Sequence, residues 1–263
     1  AETHAVGRIA VDWNTNKVRG TYQHLISDLP KGGNHRTRTI RFGPDEWLYL
    51  TAGSSCNVCE ETDSRRASMM RFRPDGSDGQ IYASGLRNSV GFDWAPWDNH
   101  LYATDNGRDL LGDNYPPCEL NQIEQHGFYG WPYINGFGDL DPDYGEGKEA
   151  LQETSISPRF GFRAHNAPLG IHFLRHPSRP DNYQRTALVA LHGSWNRSEP
   201  DGYKVIALHW GKQGSITSED FVSNFLQPDG DITGRPVDIE EGPDGSIYIS
   251  DDYANAIYRV LYK

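Results

Sequence analysis

The sequence predicts an all-β chain built as a β-propeller, and three observations carry that expectation. A strand–turn–strand unit recurs along the 263 residues. Its turns repeat a short Pro-containing signal, and no segment has the period of a long amphipathic helix. The unit is clearest at 37–51, where Thr37-Arg38-Thr39-Ile40-Arg41-Phe42 runs through Gly43-Pro44-Asp45 into Trp47-Leu48-Tyr49-Leu50-Thr51. It returns from Arg87 to Trp94, through Ala95-Pro96-Trp97-Asp98, into Leu101-Tyr102-Ala103-Thr104. It returns again from Arg235 to Ile239, through Gly242-Pro243-Asp244-Gly245, into Ile247-Tyr248-Ile249-Ser250. A looser copy runs from His165 to Ile171 and on to Leu188-Val189-Ala190-Leu191. Strand-and-turn repeats of roughly 50 residues are what propeller blades look like in sequence.

Each element follows from local signals. Gly7 to Trp13 and Gly20 to Ile26, joined at Asn14-Thr15-Asn16, read as a hairpin, the outer half of a blade. Residues 35–82 make the first full blade, with outer strands at Ala67 to Phe72 and Gln80 to Ala83. A second blade opens at Arg87. Residues 105–147 then break the rhythm with a long run of Gly, Pro, Asp and aromatics, whose density argues for an ordered, functional loop. Asp139, Asp141 and Asp143 within it alternate like a calcium loop, yet the flanking helices and closing Glu of an EF-hand are missing, so a solvated turn is expected. The third blade spans about 163–210 and the fourth 235–262.

In every copy an ionisable residue opens the first strand: His35, Arg87, His165 and Arg235. First strands line a propeller's channel, so the four should gather at one mouth. The net charge of −11 argues against nucleic acid and anionic membranes as partners. No apolar run approaches the ~20 residues of a membrane span. Of three cysteines, Cys56 and Cys59 read first as a local disulfide clipping a loop, with a redox or metal role as the other reading. Cys118 reads as a buried thiol.

Several segments, in this order, resemble the soluble sugar dehydrogenases that use pyrroloquinoline quinone (PQQ), in the L-sorbosone dehydrogenase branch of the glucose/sorbosone dehydrogenase family. They are Asn34-His35 with the Gly43-Pro44-Asp45 turn, Gly85-Leu86-Arg87-Asn88, Asp105-Asn106-Gly107, Tyr129-Gly130-Trp131-Pro132, and Arg235-Pro236 with Gly242-Pro243-Asp244-Gly245. The resemblance implies a six-bladed propeller. Residues 1–263 would form one domain covering about four to five blades, with N-terminal blades of the family fold missing. It also implies PQQ and Ca²⁺ as cofactors, a small sugar as substrate, an external electron acceptor such as a cytochrome or quinone, and a periplasmic or secreted location.

By the same resemblance His35 is the general base. Arg87, Asn88 and Arg235 hold the quinone; His165, from its position alone, reads either as a second channel donor or as an ordinary satisfied histidine. Trp195 and Arg197 stand on the third-blade loop where relatives place a cofactor-facing lysine. The carbonyls of Gly107 and Arg108 bind the calcium beside the quinone, and Glu119 and Tyr129 bind a second calcium. Ser54 stands where some relatives carry an Asp that orients the base, so His35 is expected to keep the pKa of free histidine. The chemistry is coherent on its own terms: alcohol oxidation by hydride transfer needs a base near pKa 6.5, cationic donors for a tricarboxylate, and oxygen ligands for a hard cation. A metal-dependent propeller lactonase and a non-catalytic binding propeller are the competing readings.

Overall fold

The computed structural model describes residues 1–262. Among the described residues strands dominate, and α-helix is confined to the six residues of α1 (Glu149–Thr154). The first sheet is a hairpin of β1 (Val6–Asp12) and β2 (Lys17–Ile26). The second runs β3 (Ile40–Phe42), β4 (Leu48–Ala52), β5 (Ser68–Phe72), β6 (Gln80–Ser84).

The third sheet begins β7 (Ser89–Trp94), β8 (Leu101–Asp105), β9 (Cys118–Ile123). The chain then leaves it for the short pair β10 (Ile134–Asn135) and β11 (Asp139–Leu140), and for α1. It returns at β12 (Phe160–Phe162), which pairs with β9 and completes four strands. The sequence had placed no strand there; the signal is a three-residue edge strand too short to show a period.

The fourth sheet is β13 (Pro168–Phe173), β14 (Thr186–Leu191), β15 (Lys204–Trp210), β16 (Ile216–Val222), so it extends past the expected 163–210. The fifth is β17 (Pro236–Glu241), β18 (Ile247–Asp251), β19 (Ala256–Val260). All pairings within these sheets are antiparallel. Among the described residues β1 pairs only with β2 and β19 only with β18, so no strand pairing joins the two ends into a closed ring.

The sheets stack in chain order because their strands alternate between two apolar faces. In β4, Leu48, Leu50 and Ala52 pack toward the first hairpin, with Val6 and Ile26, while Tyr49 packs toward the third sheet. In β14, Ala187, Val189 and Leu191 face the third sheet, while Leu188 and Ala190 face the fifth. Four cores thus fill the four gaps between five successive sheets.

The repeated turns share one construction. Asp45, Asp98 and Asp244 each accept a hydrogen bond from the backbone N–H two residues on, at 3.3, 3.0 and 3.0 Å. This Asx geometry is why Asp recurs there. At the opposite ends of the inner strands the ladders slip register, between Ser89 and Phe92, Pro168 and Ile171, and Pro236 and Asp238. Such irregularities re-aim side chains and gather beside functional sites. Here they directly follow Arg87, His165 and Arg235.

Candidate active site

His35 reaches its place because its loop zips onto the end of β4. The N–H groups of Asn34 and His35 donate to the carbonyls of Ser55 and Ser54 at 2.9 and 3.3 Å. Gly53 permits the approach: a Cβ there would stand 2.5 Å from Asn88 Oδ1 and 2.6 Å from His35 Cβ.

Around the His35 ring the hydrogen bonds define the tautomer. Nδ1 lies 2.9 Å from Ser54 Oγ and 3.1 Å from the Ser54 carbonyl. Ser54 Oγ gives its hydrogen to the Cys56 carbonyl at 2.7 Å, so both neighbours of Nδ1 are acceptors. Nδ1 therefore carries the proton and Nε2 keeps its lone pair. Burial pushes the ring down to about 4; Arg87 and, less, Arg66 add to this, against a smaller upward pull from the Ser54 backbone. This corrects the expectation of a free-histidine pKa. Ser54 in place of a carboxylate does withhold an ion pair, but desolvation and two guanidinium groups then decide the outcome.

Arg87 is buried at the start of β7. Its Nε donates to the Asn57 carbonyl at 2.8 Å, Nη1 to the Asn106 carbonyl at 3.0 Å, and Nη2 to Asn57 Oδ1 at 2.8 Å and Asp109 Oδ2 at 3.2 Å. Asp109 also faces His165, with Oδ1 3.4 Å from Nδ1, while His165 Nε2 donates to the Gly112 carbonyl at 2.9 Å. His165 and Ala167 both adopt left-handed φ values, 65° and 50°, a cost of about 1–3 kcal/mol each that the surroundings must hold.

His35, Arg87, Asn88, Gly107, His165 and Trp195 line one cavity of about 210 Å³, with Asn106 and Asp109 among its other lining residues. Trp195 stands at its rim, 71% exposed. The structure does not bring Arg197 and Arg235 into it. Arg197 donates to the carbonyls of Asp113, Glu199 and Ala164, and Arg235 to those of His192 and Gly193 at 3.0 and 2.9 Å. Both guanidinium groups fasten loops, Arg235 through Nε and Nη2. A larger cavity of about 530 Å³ lies at the far ends of the inner strands, between Arg41, Trp94 and Arg175. Its Arg175 is already paired with Asp93 at 2.7 Å, and no nucleophile or base converges there.

Beneath the first cavity is a small one of about 20 Å³, lined by Asp105, Gly107, Arg108, Glu119, Tyr129 and Asn135. Asp105 and Glu119 sit directly opposite each other on β8 and β9. Burial pushes Asp105 up to about 7 and Glu119 up to about 8, the Asp105 charge adding to the second. Asn121 Oδ1 nearby is buried with no donor, while its Nδ2 donates to Glu119 Oε2 at 2.9 Å. Two facing carboxylates lining one small cavity suit a hard cation.

Two of the expected metal residues are constrained. The Tyr129 hydroxyl donates to the Gln122 carbonyl at 2.6 Å and accepts from Glu124 N at 2.7 Å, so only its main chain remains to a ligand. The Arg108 side chain grips Asp141 through Nη1 at 2.7 Å to both oxygens, and Asp143 through Nη2 at 2.9 Å. Asp141 is therefore a buried ion-pair partner, which corrects the expected solvated turn. Asp139 remains exposed.

Cys56 and Cys59 form a disulfide, and Cys118 is a free buried thiol pushed up to about 11 by burial. Sequence reasoning missed Asn57, Asp105 and Asp109. Asp105 carried a signal, an acid ending the strand Leu101–Asp105 at the head of the Asp105-Asn106-Gly107 segment, though no role was assigned to its side chain. Asp109 carried none, since its partners lie 22 and 52 residues away.

Residues 2–126 and 141–263 match the family described as TrAA12-like. The chain belongs to the TrAA12-like family. A protein of Borreliella burgdorferi is 39% identical to this TrAA12-like chain over 246 residues, covering 91% of the chain and 64% of the relative. The aldose sugar dehydrogenase YliI of Escherichia coli K12 is 25% identical over 269 residues, covering 94% and 66%. The chain thus spans less than two thirds of those relatives' length. Among solved structures, the calcium structure of the Trichoderma reesei family AA12 carbohydrate-active enzyme matches with a TM-score of 0.83 at 20% identity, over 97% of this chain and 75% of that one. The holo PQQ domain of Coprinopsis cinerea pyranose dehydrogenase matches with 0.80 at 21%, over 98% and 77%. At such identities the likeness speaks to the fold, an all-β stack of sheets shared by the TrAA12-like chain and these proteins.

Proposed function

We propose that this TrAA12-like chain carries the cofactor site of a PQQ- and calcium-dependent dehydrogenase, on a six-bladed propeller plan. Its substrate would be a sugar, or a sugar-derived aldehyde or alcohol of aldose or sorbosone type. One observation carries the reading: a neutral His35 with an unengaged Nε2 shares a single cavity with Arg87, Asn88 and the exposed ring of Trp195.

The residues fit an anionic planar quinone. Arg87 retains one Nη1 hydrogen after its four protein bonds and supplies fixed positive charge. Asn88 adds an amide, and Trp195 offers an indole face for stacking. When bound, PQQ supplies a two-electron acceptor for hydride, and calcium makes that acceptor more electrophilic. The Gly107 and Arg108 carbonyls would hold the calcium nearest the quinone, and Glu119, with Asp105, a second one.

His35 would take the substrate's hydroxyl proton at Nε2. Ser54 fixes the ring by holding Nδ1–H, and burial beside Arg87 keeps the imidazole neutral in ordinary buffers. The Cys56–Cys59 disulfide supports a periplasmic or secreted location, and electrons would leave to an external cytochrome or quinone.

The reading is tested by dye-linked assay. Protein reconstituted with PQQ and Ca²⁺ should reduce an artificial acceptor when given aldoses or sorbosone, and omission of PQQ should abolish it. Turnover that ignores PQQ would refute the proposal. The metal is checked separately. Ca²⁺ added to chelator-treated protein should raise the melting temperature, Glu119→Gln should remove most of the rise, and Zn²⁺ should not replace it, because the donors are oxygens. A wild-type melting temperature indifferent to Ca²⁺ would count against this site.

A further inference from the structure

The four-residue loop closed by the Cys56–Cys59 disulfide lies against both functional side chains. Asn57, inside it, accepts from Arg87 Nε through its carbonyl and from Arg87 Nη2 through Oδ1, both at 2.8 Å. The same Oδ1 accepts from Asp109 N at 2.8 Å, and Asn57 Nδ2 donates to the Asp109 carbonyl at 3.1 Å. Cys56 receives, through its carbonyl, the Ser54 hydroxyl that holds His35. The loop therefore ties the β4 end of the second sheet to the β7 start and the segment after β8 in the third, two sheets that no strand ladder connects.

We infer that Asn57 is the positioning residue of this site: clamped by the Cys56–Cys59 disulfide, it aims the Arg87 guanidinium into the cavity beside His35. Two of Arg87's four protein bonds end on Asn57, and a third ends on Asp109, whose backbone Asn57 also holds. In Asn57→Ala the main-chain carbonyl still accepts from Arg87 Nε, but Nη2 loses Oδ1 and Asp109 loses both its bonds to the amide, so the outer end of the guanidinium is released. The disulfide keeps the loop short enough for one Asn to present its carbonyl, amide oxygen and amide nitrogen together. For the ligand, though not for the aiming of Arg87, this rests on the quinone reading above.

The test uses two readouts on the full chain. The first is the His35 ring titration in cofactor-free protein, followed by NMR; the positive charges that lower it are Arg87 and Arg66. The second is PQQ affinity with Ca²⁺ present, followed by tryptophan fluorescence. In Asn57→Ala, Arg87 should drift from His35, so the His35 pKa should rise by ~1 unit. PQQ affinity should fall ~10-fold, the scale of one or two hydrogen bonds.

Cys56→Ser/Cys59→Ser should move both readouts the same way, and adding Asn57→Ala to it should move them little further, because both act through one clamp. Val58→Ala, in the same loop, should move neither. If Asn57→Ala does not fold, the double serine variant carries the test. A folded Asn57→Ala, or a folded double serine variant, with His35 titration and PQQ affinity both unchanged would overturn the inference and leave the quinone reading standing. A wild type that binds no PQQ, together with a shifted His35 in Asn57→Ala, would overturn the quinone reading and support the positioning role.

Discussion

His35→Ala, loaded with PQQ and Ca²⁺, should transfer hydride from substrate ~10²–10⁴-fold more slowly than wild type, the usual worth of a positioned base. Cofactor binding should barely change. The reason is geometric: Nδ1 is committed to Ser54, so Nε2 is the atom left to accept a proton. Alanine removes it without disturbing Arg87, whose bonds go to Asn57, Asn106 and Asp109. The pH profile carries a second signature. A ring titrating near 4 is neutral, and competent as a base, at all pH values well above that. The wild-type rate should therefore fall only as the pH drops toward 4, and the mutant's residual rate should lack that limb. Stopped-flow reduction of the bound quinone across pH measures both. An unchanged rate in His35→Ala would remove His35 from the chemistry.

Asp141→Ala should cost about 3–5 kcal/mol of stability, the range for breaking a buried ion pair from one side. Arg108 and Asp141 are 6% and 0% exposed at their side chains and joined through both carboxylate oxygens. Asp141 also accepts from Asn135 Nδ2 and from the N–H groups of Asp143 and Tyr144, so the whole excursion between β9 and β12 hangs on it. Removing it leaves the buried guanidinium with Asp143 as its one remaining carboxylate partner and frees three donors.

Burial alone would raise the Asp141 pKa, but Arg108 and these donors outweigh burial and hold it below the usual range. A depressed carboxylate contributes stability above its unfolded pKa and loses it as pH falls through the folded value. The wild-type advantage over Asp141→Ala should therefore shrink in strong acid. Urea unfolding at several pH values checks this, and a mutant within 1 kcal/mol of wild type at neutral pH would refute it. Arg108→Met/Asp141→Leu should recover much of the loss, because the one charge it leaves unpaired, Asp143, is exposed.

The parts of the fold legible in the sequence were those written in local periodicity. Leu48, Tyr49 and Leu50 alternate between two cores, and the Gly43-Pro44-Asp45 and Gly242-Pro243-Asp244 turns declare themselves. The half-blade hairpin was readable for the same reason. β12 was not, because three residues hold no period and its partner β9 lies about 40 residues back.

The site divides similarly. His35, Arg87 and His165 were visible as ionisable residues opening strands, a feature of position along the chain. Asn57 and Asp109 were invisible because their roles depend on two loops meeting across 52 residues. Asp141 was misread because alternating acids look solvated until Arg108, 33 residues earlier, is brought against them. For Arg235 and Arg197 the sequence shows the charge but not the loop carbonyls to which each donates outside the cavity.

On the proposed reading, His35, Arg87 and Trp195 surround a quinone that accepts hydride from a sugar. Anaerobic single-turnover absorbance tests it most directly. The protein is titrated with PQQ and Ca²⁺, unbound quinone is removed, and aldose is added without any electron acceptor. The account predicts saturable binding at one PQQ per chain, weakened in Arg87→Ala, followed by a single sugar-dependent loss of the oxidised-quinone band. A chain that retains no PQQ, or retains it with a spectrum unchanged by aldoses and sorbosone alike, would contradict the account.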